Sequence, residues 1–208
     1  MRKIIYFVPL LLLLACQQKP TNDAADKKMD AKKDMMANPA LLGFFEEVNV
    51  VKMHLFAAAE AMPDAESYPY VGKEINGEAL AFLNDDVKGD GAVYACYHTE
   101  NSNHFIVRQS SGNLVIAKWD AGQKKLMKVQ DLAYLMCEDG NCNQQDSWLA
   151  DLDDNRTMEL IVRKHTRDAQ GNISDESFEV LTDDGKGHFT KTNEQLASLA
   201  IKDNYVMQ

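Results

Sequence analysis

The chain has 208 residues, and its 32 acidic against 22 basic side chains give a formal net charge of −10. This length suits one ordinary globular domain with additional terminal segments. An acidic balance argues against the basic surfaces that bind nucleic acid and against a polybasic grip on anionic lipid.

The first fifteen residues have the three parts of an export signal. Arg2 and Lys3 give a positive start, residues 4–14 form an apolar run, and Ala15 places a small residue at the end. The run is too short for a membrane-spanning helix, which needs about 20 apolar residues. The sequence therefore predicts a signal peptide over residues 1–15, which is removed after export.

The end of this segment resembles the lipobox of bacterial lipoproteins, in the sequence Leu13-Leu14-Ala15-Cys16. In that family the cysteine thiol is lipidated, the peptide is cut just before it, and the new amino terminus is acylated. The resemblance implies that Cys16 becomes the lipidated first residue, with several acyl chains that each contribute about 0.8 kcal/mol per buried methylene. Gln17, where inner-membrane lipoproteins tend to carry Asp, implies an outer-membrane location facing the periplasm or the cell surface. The alternative is an ordinary cleaved signal with an incidental cysteine.

Residues 16–39 are predicted to be a lipidated, disordered tether. After the cysteine they are rich in Lys, Asp, Ala, Gln and Asn and hold no aromatic residue, so they cannot bury enough apolar surface to offset their ordering entropy. A flexible coil of this length reaches on the order of 25–30 Å. Loss of residues 1–15 removes two basic residues, which leaves 20 basic against 32 acidic and a charge of −12. Residues 40–208 are predicted to form a single β-rich domain.

The start and the end of this domain show helical patterns. Leu41 and Phe45 belong to an apolar set at helical spacing, and Asn76 is placed to cap a short helix. Residues 48–56 contain a β-branched run, so the sequence leaves helix and strand open there. Residues 192–195 form a capping box that predicts a C-terminal helix.

From residue 92 onward, short apolar runs alternate with Gly, Asp and Asn, which is the pattern of antiparallel strands. Two stretches share a layout: the acidic segments that begin at Asp86 and Asp151 each precede a strand, and a hairpin follows each of them. The predicted fold is mainly β (α+β), an antiparallel sheet built from two blade-like units over residues 84–130 and 147–191.

Three cysteines follow Cys16 along the chain. Cys137 and Cys142 flank an Asp139-Gly140 turn that brings their thiols together, and an exported compartment permits disulfides. We therefore predict a disulfide between Cys137 and Cys142. Cys96 lies in an apolar stretch, which predicts a buried free thiol.

The second acidic loop carries the most informative pattern in the domain. Oxygen-bearing groups recur at alternate positions, namely the side chains of Asp151, Asp153, Asn155 and Glu159 and the carbonyl of Thr157. Such oxygens can converge on calcium, which takes six to eight of them at about 2.3–2.6 Å. The alternative is an acidic turn in which Asp and Asn are used for turn geometry.

This loop, the apolar strand after it and the later Gly185-Lys-Gly187-His-Phe189 hairpin resemble the FG-GAP or VCBS repeats of integrin-type β-propellers. The resemblance implies a calcium site on the five loop residues. Arg156 stands where that family has glycine, and Glu159 stands where it has a final aspartate. In the first unit Lys88 and Tyr94 replace two ligands, so the resemblance implies that this unit has lost any metal.

No catalytic constellation stands out among the residues of this sequence. The histidines are scattered, although His98 and His104 are placed to face each other across a hairpin. A face for a glycan or protein partner is offered by Tyr68, Tyr70, Trp119 and Trp148, with core packing as the alternative for the tryptophans. We expect a membrane-anchored lipoprotein with a noncatalytic binding or assembly role and possible calcium stabilisation. The alternative is a lipid-tethered hydrolase that acts on a glycan or another envelope polymer.

Overall fold

Strands make up most of the part of the chain that the structure, a computed structural model, describes: residues 38–57, 68–99, 103–155, 157–184 and 188–192. The helical elements are α1 (Pro39–Leu42), a 3-10 helix (Gly77–Phe82) and α2 (Asp85–Lys88). The strands are β1 (Glu46–Val48), β2 (Lys52–Leu55), β3 (Lys73–Glu74), β4 (Val93–Thr99), β5 (His104–Gln109), β6 (Leu114–Asp120), β7 (Lys125–Glu138), β8 (Asn141–Ala150), β9 (Glu159–Arg167), β10 (Ile173–Asp183) and β11 (Phe189–Lys191). The mainly β prediction is confirmed, and the predicted C-terminal helix lies outside the described residues.

The strands form one continuous sheet in the order β1-β4-β5-β6-β7-β8-β9-β10-β11. Every pairing is antiparallel except that of β1 with β4, and β3 adds to β4 while β2 adds to β8. The long strand β7 belongs to two parts of this sheet, because residues 125–133 pair with β6 and its last five residues pair with β8. We call the part from β1 to β7 the first sheet and the part from β7 to β11, with β2, the second sheet.

The two sheets separate at a point where β7 and β8 stop pairing. Beyond Tyr134 and Gln145 the two strands diverge, and β2 takes the place beside β8 that β7 has left. Two backbone carbonyls of β7 are satisfied there by β8 side chains: Gln145 Nε2 donates to Asp131 O at 2.7 Å, and Ser147 Oγ donates to Leu132 O at 2.5 Å. A buried carbonyl without a donor is costly, and the buried side chains of Gln145 and Ser147 supply the missing donors.

The first sheet is covered on both faces. One face packs against the second sheet through a core that includes Ile106, Ile116, Leu149 and Leu160. The other face packs against the helical elements, which contribute Leu41, Ala79, Leu83 and Val87 to a second core. On its outer face the second sheet carries a small cluster of Trp148, Ile161 and Val180.

Asparagine side chains position the two α-helices. Asn38 Oδ1 accepts from Ala40 N and Asn84 Oδ1 accepts from Asp86 N, each at 2.8 Å, so both residues act as N-caps. Asn76 precedes the 3-10 helix as predicted, but its side chain makes no capping hydrogen bond. Residues 48–56, which the sequence left open, contain the end of β1 and all of β2.

The segment that leads into β3 is held to the first sheet by a buried arginine. Arg108 donates from Nε to Tyr70 O at 2.9 Å and from Nη2 to Val71 O at 2.8 Å, and its guanidinium lies 3.8 Å from the Tyr94 ring centroid. A Cβ on Gly72, whose φ is +68°, would lie 2.7 Å from a β4 carbonyl oxygen. The segment and the sheet are therefore in close backbone contact.

The cysteines have the states that the sequence predicted, and the four aromatic residues considered for a binding face are buried. The Cys137–Cys142 disulfide forms as predicted, and Cys96 is a buried free thiol. Tyr68 and Tyr70 are 1% and 2% exposed, so the predicted binding face that includes them is wrong. They are buried because their rings pack edge to face on each other and on Phe56. The core packing given as the alternative for Trp119 and Trp148 is confirmed.

The two predicted units differ by one strand. The aligned acidic segments precede β4 and β9, and the aligned hairpins are β6–β7 and β10–β11. In the first unit β5 lies between the loop strand and the hairpin, whereas in the second unit β10 follows β9 directly.

We predict that Ser147→Ala lowers the free energy of unfolding by about 1–3 kcal/mol, because it leaves the Leu132 carbonyl buried without this donor. Urea denaturation of residues 17–208, which contain every described element, measures the change. Ser177→Ala on the exposed start of β10 is the control, with an expected change within about 0.5 kcal/mol. Equal effects of the two substitutions would contradict the role assigned to Ser147.

Candidate cation site

The acidic loop connects β8 to β9 and is held by its own side chains. Asn155 N donates to Asp151 Oδ1 at 3.1 Å and to Asp153 Oδ1 at 3.3 Å, and Thr157 N donates to Asn155 Oδ1 at 2.6 Å. Asp154 has a φ of +57°, a left-handed conformation that Asp tolerates better than most residues. Short polar side chains therefore fold this loop back on itself, and the chain re-enters the sheet at Glu159.

Three of the five predicted ligands lie together. Asp151, Asp153 and Glu159 each place one carboxylate oxygen within 4.8 Å of the other two. Asp153 is exposed, Asp151 is half-buried, and Glu159 is fully buried at the first position of β9. In the part of the chain that the structure describes, this is the one group of three or more His, Cys, Asp or Glu residues that are close enough to share a metal ion.

Glu159 has the most demanding environment of the three acids. Its Oε2 accepts from Leu152 N at 2.8 Å, and its Oε1 is buried with no hydrogen-bond partner among the described residues. The pKa of this carboxyl is raised to about 7, chiefly by burial; the Leu152 amide lowers it, and the charges of Asp153 and Asp151 raise it. A cation or a proton in the loop would relieve this unfavourable charge.

The Asn155 side chain belongs to the hydrogen-bond network of the loop. Asn155 Oδ1 accepts from Thr157 N and Asn155 Nδ2 donates to Asp153 Oδ2 at 2.9 Å, so this side chain braces the loop beside the acids. The three acids that lie together supply carboxylate oxygens, which suit a hard cation such as Ca²⁺ or Mg²⁺ and leave the remaining positions to carbonyls, amides or water.

The corresponding stretch of the first unit has a different conformation. The residues after Asn84 form α2, which is capped by Asn84 and carries an ion pair of 3.3 Å between Lys88 Nζ and Asp85 Oδ1. A capped helical turn directs its acidic side chains away from a common centre, so the acids of this segment do not form a group like that of the second loop.

Leu152 connects the loop to the outer face of the second sheet, a role that the sequence pattern did not indicate. Its backbone amide contacts Glu159, and its side chain packs against the cluster of Trp148, Ile161 and Val180. The Trp148 ring stacks in turn on His54 with 4.5 Å between centroids. A change in the charge of Glu159 can therefore affect Trp148 through the amide and the side chain of Leu152.

The predicted pairing of His98 with His104 is wrong. His104 pairs with Thr99 in the β4–β5 register, so His98 and His104 project from opposite faces. His98 stacks on Phe105, whereas His104 is fully buried against Phe189 with its Nε2 3.8 Å from Asp183 Oδ2. The apolar environment on each side of the sheet, and not solvent, decides where these rings lie.

An open cavity of about 340 Å³ lies at the β6–β7 hairpin. Its lining includes Lys118, Lys128 and Trp119, and among the described residues it contains one carboxylate, that of Asp120. A glycosidase-like site needs a pair of facing carboxyl groups. This cavity therefore does not supply the feature that would favour the hydrolase alternative.

Comparisons with protein-family models, with curated proteins and with solved structures gave no match to this chain. Within the described residues, none of the helices has the length and apolar character needed to cross a membrane.

We predict that Glu159→Gln stabilises the cation-free domain increasingly as pH rises from about 4.5 to about 7. The folded state binds the Glu159 proton more tightly than the unfolded state does, so this contribution to stability is present at low pH and is lost as pH rises through the raised pKa. Gln keeps an acceptor for the Leu152 amide but carries no charge. Denaturation in chelator at several pH values measures the difference from the wild type.

The advantage of the Gln variant should be small at pH 4 and reach at most about 3 kcal/mol at pH 8. The result would contradict a destabilised carboxylate at this position if the stability difference between the two proteins were constant with pH, or if the wild type were the more stable at pH 8.

Proposed function

We propose that this chain is an exported lipoprotein whose calcium-stabilised β domain has a noncatalytic binding or assembly role at the membrane that carries it. The observation that supports the metal most directly is the buried Glu159 Oε1, which has no hydrogen-bond partner among the described residues and lies beside the carboxylates of Asp151 and Asp153. Three carboxylates this close lower stability unless a cation or a proton offsets their charge.

Calcium is the cation that this loop suits best among common metal ions. Its ligands are oxygens, and it accepts irregular geometry. It can therefore bind a buried carboxylate, Glu159, together with an exposed one, Asp153. The alternating order of Asp151, Asp153 and Glu159, which resembles the FG-GAP or VCBS calcium loop, supports the same choice. The ion would be structural, because it would connect the end of β8 to the start of β9.

The location proposed for the domain follows from its amino terminus. Lipid on Cys16 would anchor it to the outer membrane, and the tether of residues 17–39 would let it work on the order of 25–30 Å away. The partner we propose is a protein or a glycan of the envelope, and the acidic surface makes nucleic acid an unsuitable ligand.

We also propose that the two blade-like units are related. The shared order of acidic segment, strand and hairpin supports this relation, with β5 as an additional strand in the first unit. The hydrolase alternative is not developed, since the cavity at the β6–β7 hairpin has one carboxylate among its described lining residues and not a facing pair.

We predict that calcium raises the melting temperature of residues 17–208 relative to chelator. At a calcium concentration about 100 times the dissociation constant, the gain of about 2.7 kcal/mol corresponds to a rise of about 5–10 °C. In Asp153→Asn, which removes one of the three carboxylates, most of this rise should be lost. Calorimetry or circular dichroism in matched buffers measures the shift.

Asp139→Asn is the control for charge, because Asp139 lies in the β7–β8 turn with a φ of +50° that Asn also accepts. This variant should keep the full calcium response. A wild-type melting temperature that is unchanged at millimolar calcium would remove the metal from the proposal.

We predict that Cys16→Ser abolishes lipidation of the exported chain. The wild-type protein should fractionate with outer membranes and show the mass of a chain that begins at an acylated Cys16. The Ser variant should carry no acyl group and should leave the outer-membrane fraction. Mass spectrometry and membrane fractionation measure both properties, and a wild-type chain without lipid would contradict the proposed anchor.

A further inference from the structure

Two neighbouring hairpins of the second sheet extend beyond the core. The β7–β8 hairpin ends at the Asp139-Gly140 turn, and the β9–β10 hairpin ends in a turn held by Asp168, whose side chain accepts from the amides of Gln170 and Asn172. Residues 136–141 and 169–177 are exposed without interruption. These hairpin ends form an arm, and we define the arm as residues 134–145 and 164–177.

The arm has two edges that are unpaired within the described structure. On one side, β6 pairs with β7 only as far as Ala133, so residues 134–138 have no neighbour on their outer edge. On the other side, β11 pairs with β10 only from Leu181 to Asp183, so residues 173–179 have a free edge. A free edge is a template for another strand unless it is protected.

The β10 edge carries the protections that natural sheets use. The β9–β10 register shifts between Ser174 and Ser177, and Asp175 has a φ of +51°, so the edge is irregular. Asp175, Glu176 and Glu179 also lie along it, with Glu176 in an ion pair with Arg163 and Glu179 in an ion pair with Lys191. A second strand brought to this edge would meet a bulge and a row of charged side chains, two of which are already paired.

The β7 edge has none of these protections over residues 134–138. Its sequence is Tyr-Leu-Met-Cys-Glu, its pairing with β8 is regular, and its only charge is at Glu138. Met136 is 55% exposed and is one of the most exposed large apolar residues in the described structure. The disulfide between Cys137 and Cys142 fixes this edge by connecting it to β8.

The backbone groups available on this edge follow from the hairpin geometry. Asp139 and Gly140 both have positive φ, so they form a two-residue turn closed by a hydrogen-bonded pair, Glu138 and Asn141. Along an antiparallel pair of strands, hydrogen-bonded residue pairs alternate with residue pairs that are not hydrogen-bonded. Cys137 and Cys142 are the next pair, and their Cα–Cα distance of 4.0 Å fits a pair without hydrogen bonds. The N–H and C=O groups of residues 135 and 137 therefore point away from β8.

We propose that residues 134–138 pair with the same residues of a second copy of this chain, antiparallel and centred on Met136. Leu135 and Cys137 of each copy exchange backbone hydrogen bonds with Cys137 and Leu135 of the other, which gives four bonds by symmetry. Met136 faces Met136 across the two-fold axis, and Tyr134 faces Glu138. No like charges meet within this stretch.

The difference between the two edges explains why two copies of the chain would form a closed dimer and not a filament. A contact between the β7 edge of one copy and the β10 edge of the next would repeat without end and build a filament. The bulge and the acids of β10 block that contact. The unprotected β7 edge is left to pair with itself, which closes after two copies.

Sedimentation of residues 17–208 between 10 µM and 1 mM tests this interface. Because a strand pair of this length buries little surface, we expect a weak association with a dissociation constant on the order of 0.1 mM. Met136→Lys places two ammonium groups opposite each other and should weaken the association at least tenfold. Ile173→Lys, at an apolar site on the protected β10 edge that is 45% exposed, should leave it unchanged.

Tyr134→Lys tests the register, because it places a lysine opposite Glu138 of the other copy and should tighten the association several-fold. All variants are first shown to melt like the wild type. A wild-type chain that stays monomeric at 1 mM would overturn the proposal. The same holds if Ile173→Lys dissociates the dimer as strongly as Met136→Lys, or if Tyr134→Lys associates no more tightly than the wild type.

Discussion

Strand β7 is the element on which the arrangement of this domain depends, because it belongs to both sheets. Where it leaves β8, the ladder hydrogen bonds that are lost are replaced by Gln145 and Ser147, and β2 occupies the vacated edge of β8. This divergence lets the two sheets face each other around one core. It also leaves the last five residues of β7 in an arm, where no described strand pairs with their outer edge.

The same division of the sheet places the acidic loop at the end of β8, beside the outer cluster of the second sheet. Glu159 is buried there because the start of β9 belongs to the packed sheet, while Asp153 stays in solvent at the loop tip. A buried carboxylate next to two others is unfavourable in isolation. This cost is the physical reason for proposing a cation, and the Leu152 amide and side chain connect that charge to Trp148.

Local features of the sequence predicted much of this structure. The alternating strands, the Cys137–Cys142 disulfide and the approach of Asp151, Asp153 and Glu159 all depend on neighbours along the chain or on a single turn. The burial of Tyr68 and His104 could not be predicted in this way, because it depends on elements far away in sequence that cover them. Asn155 was predicted either as a ligand or as a turn residue, and its side chain accepts from Thr157 N, which is the contact that the turn alternative requires.

An NMR titration of residues 17–208 with calcium, followed at individual amides and indoles, tests the calcium site most directly. Calcium should cause a saturable shift of the Leu152 amide, which donates to Glu159, and of the Trp148 indole. The Trp119 indole, in the core between the first sheet and the helical elements, should remain unchanged and serves as the internal reference. Resonances of Leu152 and Trp148 that do not move, or shifts of the same size at Trp119, would contradict a calcium site in this loop.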